Sequence, residues 1–468
     1  MSDSTPATST DARASIVWMR DDLRLADNPA LTAAVTRGAP IVVVYLLDEV
    51  SPGIRPLGGA VKWWLHGSLT ALAADLEALG GSLVLRRGDA ATEIPRLVDE
   101  TDAGAVFWNR RYGRSRDIDA ALKTSLRDSG LEVQSFKANL LFEPWTVTTQ
   151  EGNPYRVFTQ FWKTCMELGV DREPLPAPES IESAPAGSDD LESWGLLPTA
   201  PDWAGGLREH CSPGENAAHE RLERFADEIL ESYGRRDEPG VEATSGLSPH
   251  LRFGEISPLQ IWQRLHGSLD APARQQAAGF LREVGWREFN YNILFHFPAL
   301  PQDNFRPAFD AFPWNDVPQW ELEAWQRGRT GVPLVDAGMR ELWASGTMHN
   351  RVRMVTASFL IKNLLVDWRV GERWFWDCLV DADEANNPAN WQWVAGSGAD
   401  AAPYFRVFNP VLQAQKFDKQ GRYIRRWVPE IDAGEYPPEP IVDLGQSRRD
   451  ALAAYDTMKA ADAPEGSN

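Results

Sequence analysis

Cysteine is scarce, with three in 468 residues (Cys165, Cys211, Cys378), far apart and with no C-x-x-C pair. That excludes a disulfide framework and a thiolate zinc site. No apolar run reaches the roughly 18 residues needed to cross a bilayer. The opening MSDSTPATSTDARAS is polar and lacks the apolar stretch of a signal peptide, so a disordered tail over 1–14 on a cytoplasmic protein is expected. No G-x-G-x-x-G follows the first strand-like run, where Arg20-Asp21-Asp22-Leu23-Arg24 stands instead, and there is no P-loop. Cations are outnumbered, 47 Lys and Arg against 67 Asp and Glu, for a formal net charge of -20. As a sum this argues against a polyanionic partner, although the distribution of charge counts for more. Tryptophan, by contrast, is abundant: 20 residues, eleven of them after Arg282.

Length gives a prior of two or three domains. From Ser15 to Phe136, short apolar runs alternate with helical spacing. Ile16–Met19, Ile41–Leu47, Leu83–Leu85 and Ala105–Trp108 read as strands buried on both faces, with helices around Ala30–Arg37, Val61–Leu79 and Ile94–Glu100. This predicts an α/β, doubly wound parallel sheet over 15–140. A connector is expected over 141–213, with a Pro, Ser and acidic stretch from Glu173 onward. Beyond it strand patterns nearly vanish, and Val352, Val355, Phe359, Ile361, Leu364 and Leu365 recur at helical spacing. An all-α domain is predicted over 214–468.

Four constellations could carry chemistry. Thr244-Ser245-Gly246-Leu247-Ser248-Pro249, preceded by Tyr233 and Arg235-Arg236, suits an anion site, or equally a simple helix cap. Glu283, Trp286 and Arg287 share a helix face, as an i,i+4 ion pair or as a stacking surface for a flat ligand. Met348-His349-Asn350-Arg351-Val352-Arg353-Met354 puts two arginines at a helix start, where the dipole disfavours them unless they meet a phosphodiester or nearby carboxylates. Asp381-Ala382-Asp383 precedes Asn386-Asn387-Pro388 and Trp391-Gln392-Trp393. With no second acidic cluster or histidine at ligand spacing, no metal is assigned.

From Ile16 to about Val442 the chain resembles the photolyase/cryptochrome family, and within it bacterial class I cyclobutane pyrimidine dimer photolyases. The matching pieces are VWMRDDLRLADNPAL, TSGLSPHLRFGEISP, EVGWREFNYN, TGVPLVDAGMRELWASGTMHNRVRM, DWRVGERWFWDCLVDADEANNPANWQW and DAAPYFRVFNP, in the family's order. The resemblance implies FAD held in the helical domain and light-driven electron transfer from reduced FAD to a pyrimidine dimer in UV-damaged DNA. The enzyme is expected to act as a monomer with no obligate protein partner. Tyr233, Thr244, Ser245, Gly246, Leu247, Ser248, Phe280, Glu283, Arg287, Asn350, Arg353, Asp381, Ala382, Asp383 and Asn387 fall on cofactor positions. Asn387 faces flavin N5, where an amide hydrogen-bonds without readily giving up a proton. Trp391, Trp368 and Trp314 match the electron-hopping chain.

Glu283, Trp286, Met354, Asn387 and Trp393 match the catalytic pocket, and Arg236, Glu283, Trp286, Arg287, Asn350, Arg351, Trp393, Arg406 and Gln413 the DNA-facing set. Thr347 replaces a Trp common before Met-His-Asn. A second, antenna chromophore, reduced folate or deazaflavin, is left open, because the stretch Asn109–Asp117 is shorter than in relatives that bind one and lacks acidic residues before Asp117. Two other readings stand beside repair of the cyclobutane dimer. A cryptochrome-type light sensor predicts a long C-terminal extension, and only Ala451–Asn468 lies beyond the last motif. A six-four photoproduct photolyase shows a His-His pair where this chain has His349-Asn350.

Overall fold

The structure is a computed structural model that describes residues 13–170, 172–266, 271–402, 405–436 and 439–462. Of the expected tail, 1–12 lies outside the described residues, and Ala14 is already buried against the sheet.

Five parallel strands, β1 (Ser15–Met19), β2 (Ile41–Leu47), β3 (Leu83–Arg87), β4 (Ala105–Asn109) and β5 (Glu132–Phe136), pair in the order β3-β2-β1-β4-β5. Every residue of β1, β2 and β4 is buried, because these central strands are covered on both faces. Val17 lies opposite Val43 on one side and Phe107 on the other. The edge strand β5 buries Val133 but leaves Glu132 and Gln134 exposed, which is why its sequence does not read as an apolar run. Helices Pro29–Arg37, Gly59–Ala78, Ala90–Thr101 and Ser115–Asp128 make the crossovers.

Strand order reverses between β1 and β4, where doubly wound sheets place their ligands. Here the chain's own side chains occupy that point. Asn109 Nδ2 donates to Asp22 Oδ2 at 2.6 Å, and Arg20 lies 3.5 Å from Asp119. The loop leaving β1 then docks on the helical half, with Leu23 N–H donating to Phe253 O at 3.0 Å and Arg24 Nη1 to Gly254 O at 2.8 Å. Gly254 has φ 63°, and any Cβ there would overlap the Asp21 carbonyl. Glu255 secures the same junction by accepting from Trp64 Nε1 (3.1 Å), Gly214 N–H (2.7 Å) and Ser68, while His250 Nδ1 meets its second oxygen at 2.5 Å.

One apolar core therefore runs from the sheet (Val17, Val43, Phe107) through Phe253 to Trp325, Phe359, Trp368 and Trp391. A second core gathers Phe225, Tyr233, Phe280 and Phe289 around the long helix Ala271–His296, together with Phe158, Phe161 and Cys165. Those last three stand on helix Phe158–Leu168, inside the span expected as connector. Their spacing of three and four is a helical signal in the sequence. Part of the expected connector thus belongs to the helical core. Further along it, Ile41 N–H donates to Glu182 O (2.7 Å) and Ala184 N–H to Ile41 O (2.9 Å), so this stretch is pinned at the start of β2.

Candidate functional site

Three of the four sequence constellations converge on one carboxylate. Asp381 receives a bidentate pair from Arg353 (Nη1 3.1 Å, Nη2 2.8 Å) and a hydrogen bond from Ser248 Oγ at 2.7 Å. Ser248 opens helix Ser248–Phe253 at the end of the Thr244–Ser248 turn, and Arg353 stands on helix Asn350–Ser358. The turn passes through Gly246 at φ 68°, while Tyr233 is buried against Phe280, edge to face at 5.5 Å.

The next residues are equally constrained. Ala382 O accepts from Arg252 Nε at 2.8 Å, and Arg252 Nη1 meets Asp21 at 2.6 Å. Asp383 Oδ1 accepts the Ala385 N–H at 2.8 Å, and its Oδ2 accepts from Asn386 Nδ2 at 2.7 Å. Asn387 is buried and donates through Nδ2 to Glu372 Oε1 (2.8 Å) and Glu372 O (3.1 Å). Its Oδ1 remains as the acceptor. These residues fit FAD: a loop with fixed carboxyl, carbonyl and carboxamide oxygens suits a polar ring system, beside a turn bearing exposed hydroxyl and backbone groups.

Helix Asn386–Ala395 carries Asn387, Trp391 and Trp393. Trp391 and Trp368 are buried, and Trp314 is half-buried. Trp368 Nε1 donates to Asn304 Oδ1 at 2.9 Å. Trp391 touches Phe375 (4.9 Å) and Trp325 (6.3 Å), both edge to face. Sequence reading missed Trp325, which only its complete burial beside Trp391 marks out.

Trp286 and Trp393 both line a cleft between helices Ala271–His296 and Asn386–Ala395, together with Asn290, Ile293, Leu300, Ala389 and Asn390. Phe158 stacks on Trp286 (centroids 3.9 Å, planes 9° apart) and so fixes one wall. Trp393 Nε1 donates to Asp400 O at 3.2 Å, and the Arg406 guanidinium lies 5.8 Å from its ring. Glu283, half-exposed, pairs with Arg236 at 3.6 Å. Burial raises its carboxyl pKa, with Arg236 pulling the other way.

Of the two readings of the Glu283 face, the i,i+4 ion pair is not formed: the Arg287 side chain is 11% exposed and lies 3.5 Å from Glu288. The guanidinium donates to Asn139 O (2.8 Å) and Leu251 O (3.5 Å), because the 139–142 strap crosses the helix at this turn. Arg351 pairs with Asp237 at 2.8 Å and covers the Phe417 ring at 4.4 Å, so the carboxylate-paired reading of the two arginines is the one realised in this structure. Asn350 is exposed, Met354 and Gln413 are half-buried, and Thr347 Oγ1 lies 2.9 Å from Ser345 Oγ. In the stretch Asn109–Asp117, Arg110 pairs with Glu143 and Arg111 with Asp119, both at 2.6 Å.

Residues 15–179 match the family profile described as DNA photolyase, and 280–437 the FAD binding domain of DNA photolyase. A deoxyribodipyrimidine photo-lyase of Agrobacterium fabrum is 49% identical over 472 residues, covering 95% of this chain and 98% of the relative. Cryptochrome-2 of Arabidopsis thaliana is 37% identical over 432 residues, covering 89% and 70%. The crystal structure of a bacterial class III photolyase from Agrobacterium tumefaciens superimposes with TM-score 0.90 at 48% identity, over 98% of this chain and 100% of that one.

The chain belongs to the photolyase/cryptochrome family. It is an FAD-dependent enzyme of the deoxyribodipyrimidine photo-lyase type. The expected class I likeness is not supported, since this structural neighbour is a class III photolyase. A related archaeal photolyase from Sulfolobus tokodaii, 29% identical with TM-score 0.80, holds two FAD molecules. Among the described residues no helix is long and apolar enough to cross a membrane, and no cluster of His, Cys, Asp or Glu could hold a metal.

Proposed function

We propose that the enzyme splits cyclobutane pyrimidine dimers that are flipped out of duplex DNA into the cleft between Trp286 and Trp393. The observation that carries this reading is that one ten-residue helix, Asn386–Ala395, bears both a cofactor-facing carboxamide and a wall of the aromatic cleft. Bound and reduced, FAD would supply on illumination the electron that opens the cyclobutane ring and would take it back as the two pyrimidines separate. The protein's part is positional. Arg353 and Ser248 hold Asp381, Arg252 holds the Ala382 carbonyl, and Glu372 turns the Asn387 oxygen towards the cofactor side.

A dimer stacks and pairs poorly, so extruding it costs less than extruding normal bases; photolyases are among the standard examples of base flipping. Trp286, backed by Phe158, and Trp393 supply the stacking faces. Arg351 and Arg406 are assigned to the flanking phosphates. Trp391 and Trp368, both buried, and Trp314, half-buried, are assigned to carry electrons inward from solvent.

The test is illumination of a duplex carrying one thymine dimer with the flavin-loaded, reduced protein. Conversion to two thymines under blue light, and none in the dark, is expected. A six-four photoproduct in the same duplex should persist. A flavoprotein that leaves the thymine dimer intact under light would support the sensor reading instead.

A further inference from the structure

Among the groups lining the Trp286–Trp393 cleft, Asn290 and Asn390 have no role in anything described above. Both amide nitrogens are already committed. Asn290 Nδ2 donates to Asn386 Oδ1 at 2.9 Å, and Asn390 Nδ2 donates to the Asn386 backbone carbonyl at 2.8 Å. Asn386 Nδ2 in turn donates to Asp383 Oδ2 at 2.7 Å.

This chain of contacts has a direction. An ionised carboxylate only accepts, and Asp383 is met by donors from Ala385 N–H (2.8 Å), Asn386 N–H and Tyr291 Oη (3.4 Å) besides the Asn386 amide. Asn386 must therefore turn its NH2 towards Asp383, which leaves its carbonyl oxygen towards Asn290. Asn290 must then turn its own NH2 to that oxygen. Flipping either amide would set oxygen against oxygen at hydrogen-bond distance. The remaining polar atom of Asn290 is its Oδ1, an acceptor whose orientation is dictated from Asp383 two residues away in the relay. Asn290 is 8% exposed, so its side chain has little room to turn, whereas Asn390 is exposed.

We infer that Asn290 is a specificity-determining residue whose Oδ1 accepts a hydrogen bond from the imide N3–H of one thymine of the extruded dimer. This rests on the proposed reading that the cleft receives the lesion. A thymine or uracil ring carries a donor at N3, and a cytosine ring carries an acceptor there. A buried, fixed acceptor favours the first and leaves the second facing a like dipole, so discrimination comes as much from rejection as from attraction. The stacking walls provide affinity for any flat ring, and Asn290 provides the choice among rings.

The experiment is dark binding of the FAD-loaded protein to three duplexes: one with a thymine dimer, and two with that dimer methylated at N3 of either the 5′ or the 3′ thymine. Wild type should bind one methylated duplex about tenfold more weakly than the parent. Asn290→Ala should lose about tenfold on the parent dimer and nothing further on that same methylated duplex. Equal losses from Asn290→Ala on all three duplexes, or no loss from either methyl group in wild type, would overturn the assignment. The wild-type arm reads the contact even if the variant folds poorly. Trp286→Ala, run alongside, separates the two failures. If it binds all duplexes as wild type does, the cleft is not the lesion site and both readings fall. If it loses affinity for the dimer while Asn290→Ala shows no coupling, only the inference about Asn290 falls.

Discussion

The carboxamide of Asn387 is oriented by Glu372, which accepts its Nδ2 at 2.8 Å while forming a two-point ion pair with Arg55 at 2.7 and 3.0 Å. Glu372 is buried, and Arg55 lies over the Trp376 ring at 4.0 Å. A residue of the α/β half therefore braces the carboxylate that takes the Asn387 Nδ2 and leaves its Oδ1 as the acceptor.

Glu372→Gln should loosen that orientation, because a glutamine can donate as well as accept and no longer balances Arg55. The expected result is a shifted flavin absorption envelope and faster air reoxidation of the reduced protein. A fall in stability of about 1–3 kcal/mol should accompany it, as for a weakened buried hydrogen bond to a charged group. Spectra and chemical denaturation check the two parts separately.

Gly371 lies against the Trp391 indole so closely that an added Cβ would overlap the ring. Gly371→Ala should displace Trp391 and slow photoreduction of oxidised FAD, measured as bleaching under blue light. Trp391→Phe should slow it more strongly, yet leave repair by protein already reduced chemically nearly intact. A Trp391→Phe variant that photoreduces at the parent rate would remove Trp391 from the chain.

For DNA, Trp286→Ala should weaken binding to a thymine-dimer duplex by about tenfold or more, with little effect on undamaged duplex, since stacking contributes roughly 1–3 kcal/mol per base. Arg351→Ala should weaken both and flatten the salt dependence, because a phosphate contact carries no information about damage. Asp237→Asn should do the reverse of the latter. It frees Arg351 from its 2.8 Å partner and should tighten undamaged binding by about two- to fivefold at low salt.

Glu288 provides a pH prediction. Burial pushes its carboxyl up to about 7, although the Leu141 and Phe142 amides donate to Oε2 at 2.9 and 3.2 Å. A carboxyl with a raised folded-state pKa binds more protons folded than unfolded between its ordinary value near 4.5 and 7. Stability then falls as pH rises through that window and levels off above it. Glu288→Gln keeps an oxygen for the two amides and should flatten this slope. Thermal denaturation of both proteins from pH 5 to 8 measures the difference, and parallel curves would exclude Glu288 as its source.

The parallel sheet and the helical second half were legible in the chain, because each rests on local signals. Buried strands are continuous apolar runs, helices repeat at 3.6 residues, and Thr244–Ser248 and Asp381–Asp383 announce themselves as short polar clusters. Helix Phe158–Leu168 was equally marked by Phe158, Phe161 and Cys165, but the Pro-rich stretch after it drew the whole span into a connector. The partners of the charged residues were not legible. Helical spacing alone puts Arg287 beside Glu283, yet Asn139 and Leu251 offer Arg287 carbonyl oxygens, and Glu283 meets Arg236, just after the Leu230–Arg235 turn. Arg351 meets Asp237, 114 positions earlier, a pairing that no local pattern announces. Periodicity is a property of neighbours along the chain, so the sequence determines elements and faces. Which acceptor a guanidinium or carboxamide finds depends on groups that the fold brings together from other elements, and only the packed tertiary structure fixes those.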